Sequence, residues 1–235
     1  MKLHKLLSLS GVISRRKSID AIKNALVTVN NFLVLNPFEE IDVNNSIVRL
    51  EDRIIKIPSS FETIILHKPK GYICSKSDEL NRKTIYNLIP KSKSKLDYVG
   101  RLDKDTVGLI ILTSDGQLNN FLTHPRNKIE KEYEVLTDEY ISEKIIQRIK
   151  KGIFIGSGER GRAKIISQRK NHKNILVNLV LTEGKKNEIR RIFKFSDLKL
   201  ISLKRVRIKN LHLGDLKEGN WEILKDSDIK NLLKA

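Results

Sequence analysis

The run Gly108-Leu109-Ile110-Ile111-Leu112 constrains this chain more than any other stretch. It is too short for an ordinary helix and reads as a buried strand. Upstream lies a polar loop, Gly100-Arg101-Leu102-Asp103-Lys104-Asp105, and downstream Ser114-Asp115-Gly116 forms a turn that ends the strand. A carboxylate on a loop held against a buried strand is rigidly placed, as chemistry requires. Asp105 pairs with Asp103 as a second carboxylate, or it caps the turn; the residues leave both open. An acid beside a strand is more often only a turn-former, because Asp bonds its own backbone there. A calcium loop opening at Asp103 is excluded. Its fifth position needs an oxygen ligand and is Val107, and its twelfth, where a bidentate Glu belongs, is Ser114.

Composition narrows the class. The chain has 235 residues, 39% hydrophobic and 31% charged, enough for a core and against disorder. Its formal net charge of +18 points to a polyanionic partner rather than to a merely soluble surface. Cys74 is the only cysteine, so no intramolecular disulfide forms; it has no flanking His and reads as a small half-buried side chain. The five histidines are scattered without metal-ligand spacing, and no metal is expected. Residues 6–13 are too short and too broken by serines for a signal peptide, and no apolar run reaches membrane-spanning length. The cytoplasm is the expected compartment, with no membrane partner.

Along the chain, residues 2–9 predict a short helix, with Gly11 suited to the left-handed residue past its end. Ser14 is an N-cap for a second helix, 15–24. Residues 26–29 and 32–35 flank Asn30-Asn31 as a hairpin, and 47–50 with 53–57 make a second strand pair. Pro58-Ser59-Ser60 reads as a linker. Residues 62–67 predict a strand, followed by the cation-rich turn Lys68-Pro69-Lys70-Gly71-Tyr72, then a short helix at 84–88. A helix follows at 118–122, an alternating strand at 131–135, and an amphipathic helix opened by Ser142 and ended by Gly152. Gly156-Ser157-Gly158-Glu159-Arg160-Gly161 matches the dinucleotide glycine pattern. That pattern must open a helix, whereas 162–168 alternates as a strand, so a hairpin loop is expected. Residues 174–181 form another strand. Ile189, Ile192 and Phe193 share one helical face, with Arg190 and Arg191 at its edges. In 200–208, strict alternation places Arg205 and Arg207 on one side and Val206 on the other. Asp226 or Ser227 caps a final helix to Leu233.

Gly100-Arg101-Leu102-Asp103, followed by Thr106, Gly108-Leu109 and Thr113-Ser114-Asp115-Gly116, resembles the signature of the RsuA-type pseudouridine synthases, bacterial enzymes that isomerise uridine in ribosomal RNA. The resemblance implies that Asp103 is catalytic and that Arg101 assists base flipping. Lys68-Pro69-Lys70-Gly71-Tyr72 resembles the family's first motif, and Lys131-Glu132-Tyr133 its Lys-x-Tyr motif, whose Tyr lies over the target base. Residues 182–193 resemble the third motif, making Arg190 the partner that keeps Asp103 ionised. Val206 matches a residue of the last motif that packs beside the tyrosine, although Lys209 stands where Gly is frequent. Residues 1–57 resemble an alpha-L RNA-binding module through Gly11-Val12-Ile13-Ser14-Arg15-Arg16 and Val27-Thr28-Val29-Asn30. Asn31 stands where Gly is common, which leaves the hairpin type open.

The resemblance implies an α+β protein: residues 1–57 as the RNA-binding module and 61–235 as a catalytic domain with a bent, mostly antiparallel sheet. RNA contacts are expected from Lys5, Arg15, Arg16, Lys17, Lys68, Lys70, Arg101, Lys185 and Arg191. No cofactor is expected, since an isomerisation needs neither redox carrier nor nucleotide energy. Whether Asp103 attacks the sugar or only holds its developing charge is open. Arg190-Arg191-Ile192-Phe193 and Thr123-His124-Pro125 look closer to the large-subunit branch. The expected partner is therefore large-subunit ribosomal RNA or its assembly intermediate, met by a monomer. The rivals are a small-subunit synthase, a non-catalytic RNA-binding assembly factor, and a glycosidase with paired carboxylates. For the last, Asp103 and Asp105 are too local to flank a bond.

Overall fold

The computed structural model describes residues 1–234. Their contacts divide into two compact units, residues 1–62 with 114–116, and residues 63–113 with 117–234.

The smaller unit begins with α1 (Leu3–Leu9) and α2 (Arg15–Lys23). Gly11 takes the left-handed conformation past α1, with φ 72°. The Ser14 hydroxyl accepts from the Lys17 amide at 3.4 Å and starts α2. Strands β1 (Val27–Val29), β2 (Phe32–Leu33), β3 (Val48–Leu50) and β4 (Arg53–Ile55) form an antiparallel sheet in the order β2-β1-β3-β4. Asn30 and Asn31 both have positive φ, 53° and 67°, as a two-residue hairpin turn of this hand requires. Asn tolerates that region, so Asn31 does the work a glycine would do. Leu3, Leu7, Ile22, Val27 and Val48 are the centre of this unit's core.

The larger unit holds β5 (Thr63–Lys68), β6 (Asp97–Val99), β7 (Val107–Thr113), β8 (Lys131–Thr137), β9 (Ile153–Phe154), β10 (Arg160–Gly161), β11 (Lys164–Asn171), β12 (Asn174–Leu181), β13 (Leu200–Ile208), β14 (Leu211–His212) and β15 (Trp221–Ile223). Its helices are α3 (Gly116–Thr123, whose first residue clusters with the smaller unit), α4 (Glu143–Lys151), α5 (Glu188–Lys194) and α6 (Asp226–Leu233). Among the described residues, nine strands form one sheet in the order β11-β12-β8-β13-β7-β5-β15, with β14 added to β13 and β6 to β7. Every pairing in it is antiparallel except β7 with β13. The fold is thus α+β with a mostly antiparallel sheet. Residues 84–88, expected as a short helix, form a single 3₁₀ turn, Ile85–Leu88, capped by Thr84.

The apolar run on β7 is explained by burial on both faces. Ile110 and Leu112 join Ile64, Leu66 and Val135 on one side, while Leu109 and Ile111 join Ile65, Leu118 and Leu122 on the other. A strand covered twice has no polar face to alternate with. Where β7 meets β13, Gly108 lies opposite Arg205 with φ 113°. A β-carbon there would sit 2.2 Å from the Arg205 carbonyl oxygen, so only glycine permits the parallel pairing.

The pattern of β13 differs from strict alternation. Arg205 pairs with Tyr133 and Arg207 with Glu132, leaving Val206 as the extra residue of a β-bulge. Neighbouring β8 residues face opposite ways, so the bulge sends Arg205 and Arg207 to opposite faces. Arg205 is 2% exposed and donates from Nε to the Leu109 carbonyl at 2.7 Å. Arg207 bonds Glu132 at 2.7 Å and Glu130 at 3.2 Å. Val206 is partly exposed, outside the core clusters, and its carbonyl accepts from the Leu213 amide at 2.8 Å. It is not among the residues lining the cleft, where Leu203, Arg205 and Ile208 stand.

Candidate active site

The loop after β6 is held at nearly every residue. Cys74 Sγ accepts from the Leu102 amide at 3.3 Å and donates to its carbonyl at 3.4 Å. The Thr106 amide closes a turn onto the Asp103 carbonyl at 3.0 Å. Beneath the turn, Lys68 Nζ donates to the carbonyls of Pro69, Lys104 and Thr106 at 3.0, 3.2 and 2.8 Å. On its far side, Arg190 Nη2 donates to the Asp105 carbonyl at 2.9 Å and the Thr106 hydroxyl at 3.4 Å. Asp103 stands half-buried at the centre of this frame.

Two expectations change here. Lys68 was expected to touch RNA, but its side chain is fully buried and its ammonium is committed to three carbonyls. Burial pushes its pKa down to about 8, opposed by the nearby carboxylates of Asp103 and Asp105. Burial raises the Cys74 thiol in turn. Arg190 was expected to pair with the Asp103 carboxylate. It grips the same loop through the backbone of Asp105, and no ion pair within 4.0 Å joins it to Asp103. The carboxylate's partner is Asn187, a residue the motifs did not single out. With its amide turned so that nitrogen faces the acid, it donates to the two Asp103 oxygens at 2.9 and 2.7 Å.

A cleft of about 940 Å³ opens over this loop, lined among others by Arg101, Asp103, Lys131, Tyr133, Arg190 and Arg205. Tyr133 comes from β8 and is 8% exposed, its ring part of the core beneath. Lys131, two residues before it on the same face, donates to the Ile129 carbonyl at 3.2 Å. Burial, and then Arg205, push its pKa down to about 8. One terminal nitrogen of Arg205, Nη2, is buried with no partner. Unbroken pairing, from Leu203 with Val135 to Arg205 with Tyr133, places this second cation on the cleft side, and the bulge at Val206 then turns Arg207 away from it.

The expected RNA contacts divide. Arg101 and Lys70 are exposed, as are Lys5, Arg15, Arg16 and Lys17 in the smaller unit. Arg191, expected at a phosphate, is fully engaged within the protein. It donates to the Ile155 and Gly156 carbonyls at 2.6 and 2.7 Å and pairs with Glu159 at 2.5 Å. It therefore fastens the glycine-rich loop, which is the turn of the β9–β10 hairpin and opens no helix. Lys185 bridges the Arg160 carbonyl at 2.8 Å and the Glu183 carboxylate, while its neighbour Lys186 is exposed on the cleft. Among the described residues no group of three or more His, Cys, Asp or Glu is placed to hold a metal, and no helix is long and apolar enough to cross a membrane.

The family model for RNA pseudouridylate synthase matches residues 62–195, a span containing Asp103, Tyr133, Asn187 and Arg190. The chain belongs to that family. An uncharacterized RNA pseudouridine synthase of Aquifex aeolicus is 34% identical over the whole chain and 94% of that protein. The ribosomal large subunit pseudouridine synthase B of Bacillus subtilis is 30% identical over 98% of this chain and 95% of its own. A crystal structure of a pseudouridylate synthase superposes with a TM-score of 0.70 at 28% identity, covering 99% of this chain and all of the other. The synthase turns uridine into pseudouridine: the ribose–N1 bond breaks, the uracil turns, and a ribose–C5 bond forms. The C5 proton leaves and N1 gains one, so atoms and electrons balance within the substrate. The cleft brings one half-buried carboxylate, Asp103, and one tyrosine, Tyr133, to the same cavity. Two cations, the half-buried Lys131 and the buried Arg205, line the same cavity.

Proposed function

We propose that this synthase acts on ribosomal RNA, at one or very few uridines of the large subunit or its assembly intermediate. Asp103 engages C1′ of the flipped uridine, Tyr133 stacks on the base, and Arg190 fixes the Asp103 loop. The observation that carries the site assignment is the clamped turn. Cys74, Lys68 and Arg190 hold the backbone on both sides of one half-buried carboxylate facing a cleft large enough for a nucleotide. A loop fixed this tightly around an acid is built for positioning, whereas a plain turn-former needs none of it.

The ribosomal target is supported by relatives named large subunit pseudouridine synthase B in Bacillus subtilis and in Vibrio vulnificus, the latter 30% identical over 98% of this chain. Residues 1–57 serve in this reading as an RNA-binding module, with the exposed Lys5, Arg15, Arg16 and Lys17 meeting phosphates, and residues 61–235 as the catalytic domain. We take the chain to work as a monomer in the cytoplasm. Mapping pseudouridine in both ribosomal RNAs, with and without the gene, tests the reading. Loss of a large-subunit site supports it; loss confined to the small subunit overturns the target, and no loss in either overturns the ribosomal substrate.

A further inference from the structure

Asn187 sits at the residue that starts α5, where an Asn side chain ordinarily accepts from an amide of its own helix. It makes no such bond. Its backbone is left-handed, φ 52° and ψ 31°, a conformation that Asn tolerates and most residues avoid. Glu188, 3% exposed, ties down the adjoining turn: its carboxylate accepts from the Lys185 amide at 2.9 Å and the Arg162 amide at 3.4 Å. The result is an amide withheld from helix capping and directed at both oxygens of Asp103. Three residues on, Arg190 reaches the same loop through its backbone. Residues three apart share a helical face, so one face grips both the acid and the peptide behind it.

We propose that Asn187 is a positioning residue, holding the Asp103 carboxylate correctly turned for the ribose. This rests on the reading of Asp103 as the acid that meets the sugar. An amide donor suits the task better than a cation. Its two bonds fix the carboxylate plane without neutralising the charge that must act on the sugar. The other charged groups around Asp103 are Lys68 beneath the loop, Glu188 and Arg190 on α5, Glu183, Lys185 and Lys186 just before it, Lys128, Lys131, Arg162 and Arg205 in the cleft, and Arg101, Lys104 and Asp105 on the loop itself. All are unchanged in the variants below.

The test uses the full chain and ribosomal RNA from a strain lacking the protein, transcribed with uridine tritiated at C5, so that turnover releases tritium. Asn187→Gly keeps the backbone conformation and removes the amide. It is expected to slow single-turnover release by about 10- to 100-fold, the worth of a charge-assisted hydrogen bond, with RNA affinity within about two-fold of wild type. Asn187→Asp also tolerates the backbone but sets two carboxylates face to face, so one holds a proton near neutrality. Its rate relative to wild type at the same pH is expected to climb from pH 6 to 9, the titration of Lys68 and Lys131 near pH 8 being common to both proteins. A purely structural role would move neither the pH profile nor the rate at unchanged affinity. Wild-type turnover in Asn187→Gly, or a wild-type pH profile in Asn187→Asp, overturns the proposal. Asp103→Asn in parallel separates the two ideas: if it is inactive while Asn187→Gly is normal, only the role of Asn187 falls, and if it is active, the reading of Asp103 falls first.

Discussion

Lys68→Met isolates the buried cation under the Asp103 loop. The wild-type ammonium is enclosed, and a pKa lowered from 10.5 to about 8 corresponds to about 3 kcal/mol by which burial disfavours the charged form. The sign follows from proton counting. In the unfolded chain the lysine holds its proton until about pH 10.5, whereas in the fold it sheds it near pH 8. Between those values the unfolded state binds more protons, so the contribution of Lys68 to stability rises with pH. Below pH 8 both states are protonated and the contribution is level. Methionine has a similar stem and no charge. It removes the cost of burial but leaves carbonyls of Pro69, Lys104 and Thr106 without that donor, so near pH 7.5 the two terms offset and stability changes by less than about 2 kcal/mol. Urea unfolding at pH 7.5 and pH 9.5 tests this. Wild type should gain about 2 kcal/mol more than Lys68→Met over that interval. Lys131, also near pKa 8, is present in both proteins and cancels. Equal gains in the two proteins would refute the argument. Turnover of the variant should fall while RNA affinity holds, because the loop loses its support and Lys68 touches no RNA.

Gly108→Ala should cost about 3–5 kcal/mol or abolish soluble protein, since a positive φ and a backbone clash act together at the β7–β13 pairing; wild-type unfolding in urea would contradict it. Arg190→Ala should lose most turnover by freeing the Asp105 and Thr106 side of the loop, whereas Arg191→Ala should lower stability by about 2 kcal/mol with its salt-dependence of RNA binding unchanged. A reduced salt slope in Arg191→Ala would restore it to the RNA interface. Removing residues 1–57 should leave a folded larger unit that binds RNA more weakly, with a salt slope shallower by up to about 3 if all four cations meet phosphates. An unfolded remainder in circular dichroism would show that the larger unit depends on the smaller.

Much of this fold was legible because local chemistry and tertiary structure agree. The Asn30-Asn31 hairpin, the Ser14 cap, the buried run on β7 and the rejection of the glycine-rich loop all rest on short-range rules. The errors share a different cause. Arg205 and Arg207 were placed on one side because alternation was assumed unbroken, and the bulge at Val206 has no marker in the residues themselves. Lys68 reads as a surface cation in a Lys-Pro-Lys turn until the loop it supports, about 35 residues away in sequence, is brought over it. Arg191 faces a hairpin whose position depends on sheet order, not on helical phase. Asn187 carried one usable signal: an Asn directly before an amphipathic helix needs either a capping role or another reason to be there.

The central claim is that Asp103 carries the chemistry, and one substitution addresses it with almost no change in shape. Asp103→Asn keeps the turn, the neighbours and the volume while removing the negative charge. The purified variant should bind ribosomal RNA from the deletion strain with wild-type affinity and form no pseudouridine at the site that wild-type protein restores, as read by site-resolved pseudouridine mapping. Pseudouridine appearing there at the wild-type rate would show that the acid is only a turn-former and that the chemistry lies elsewhere in the cleft.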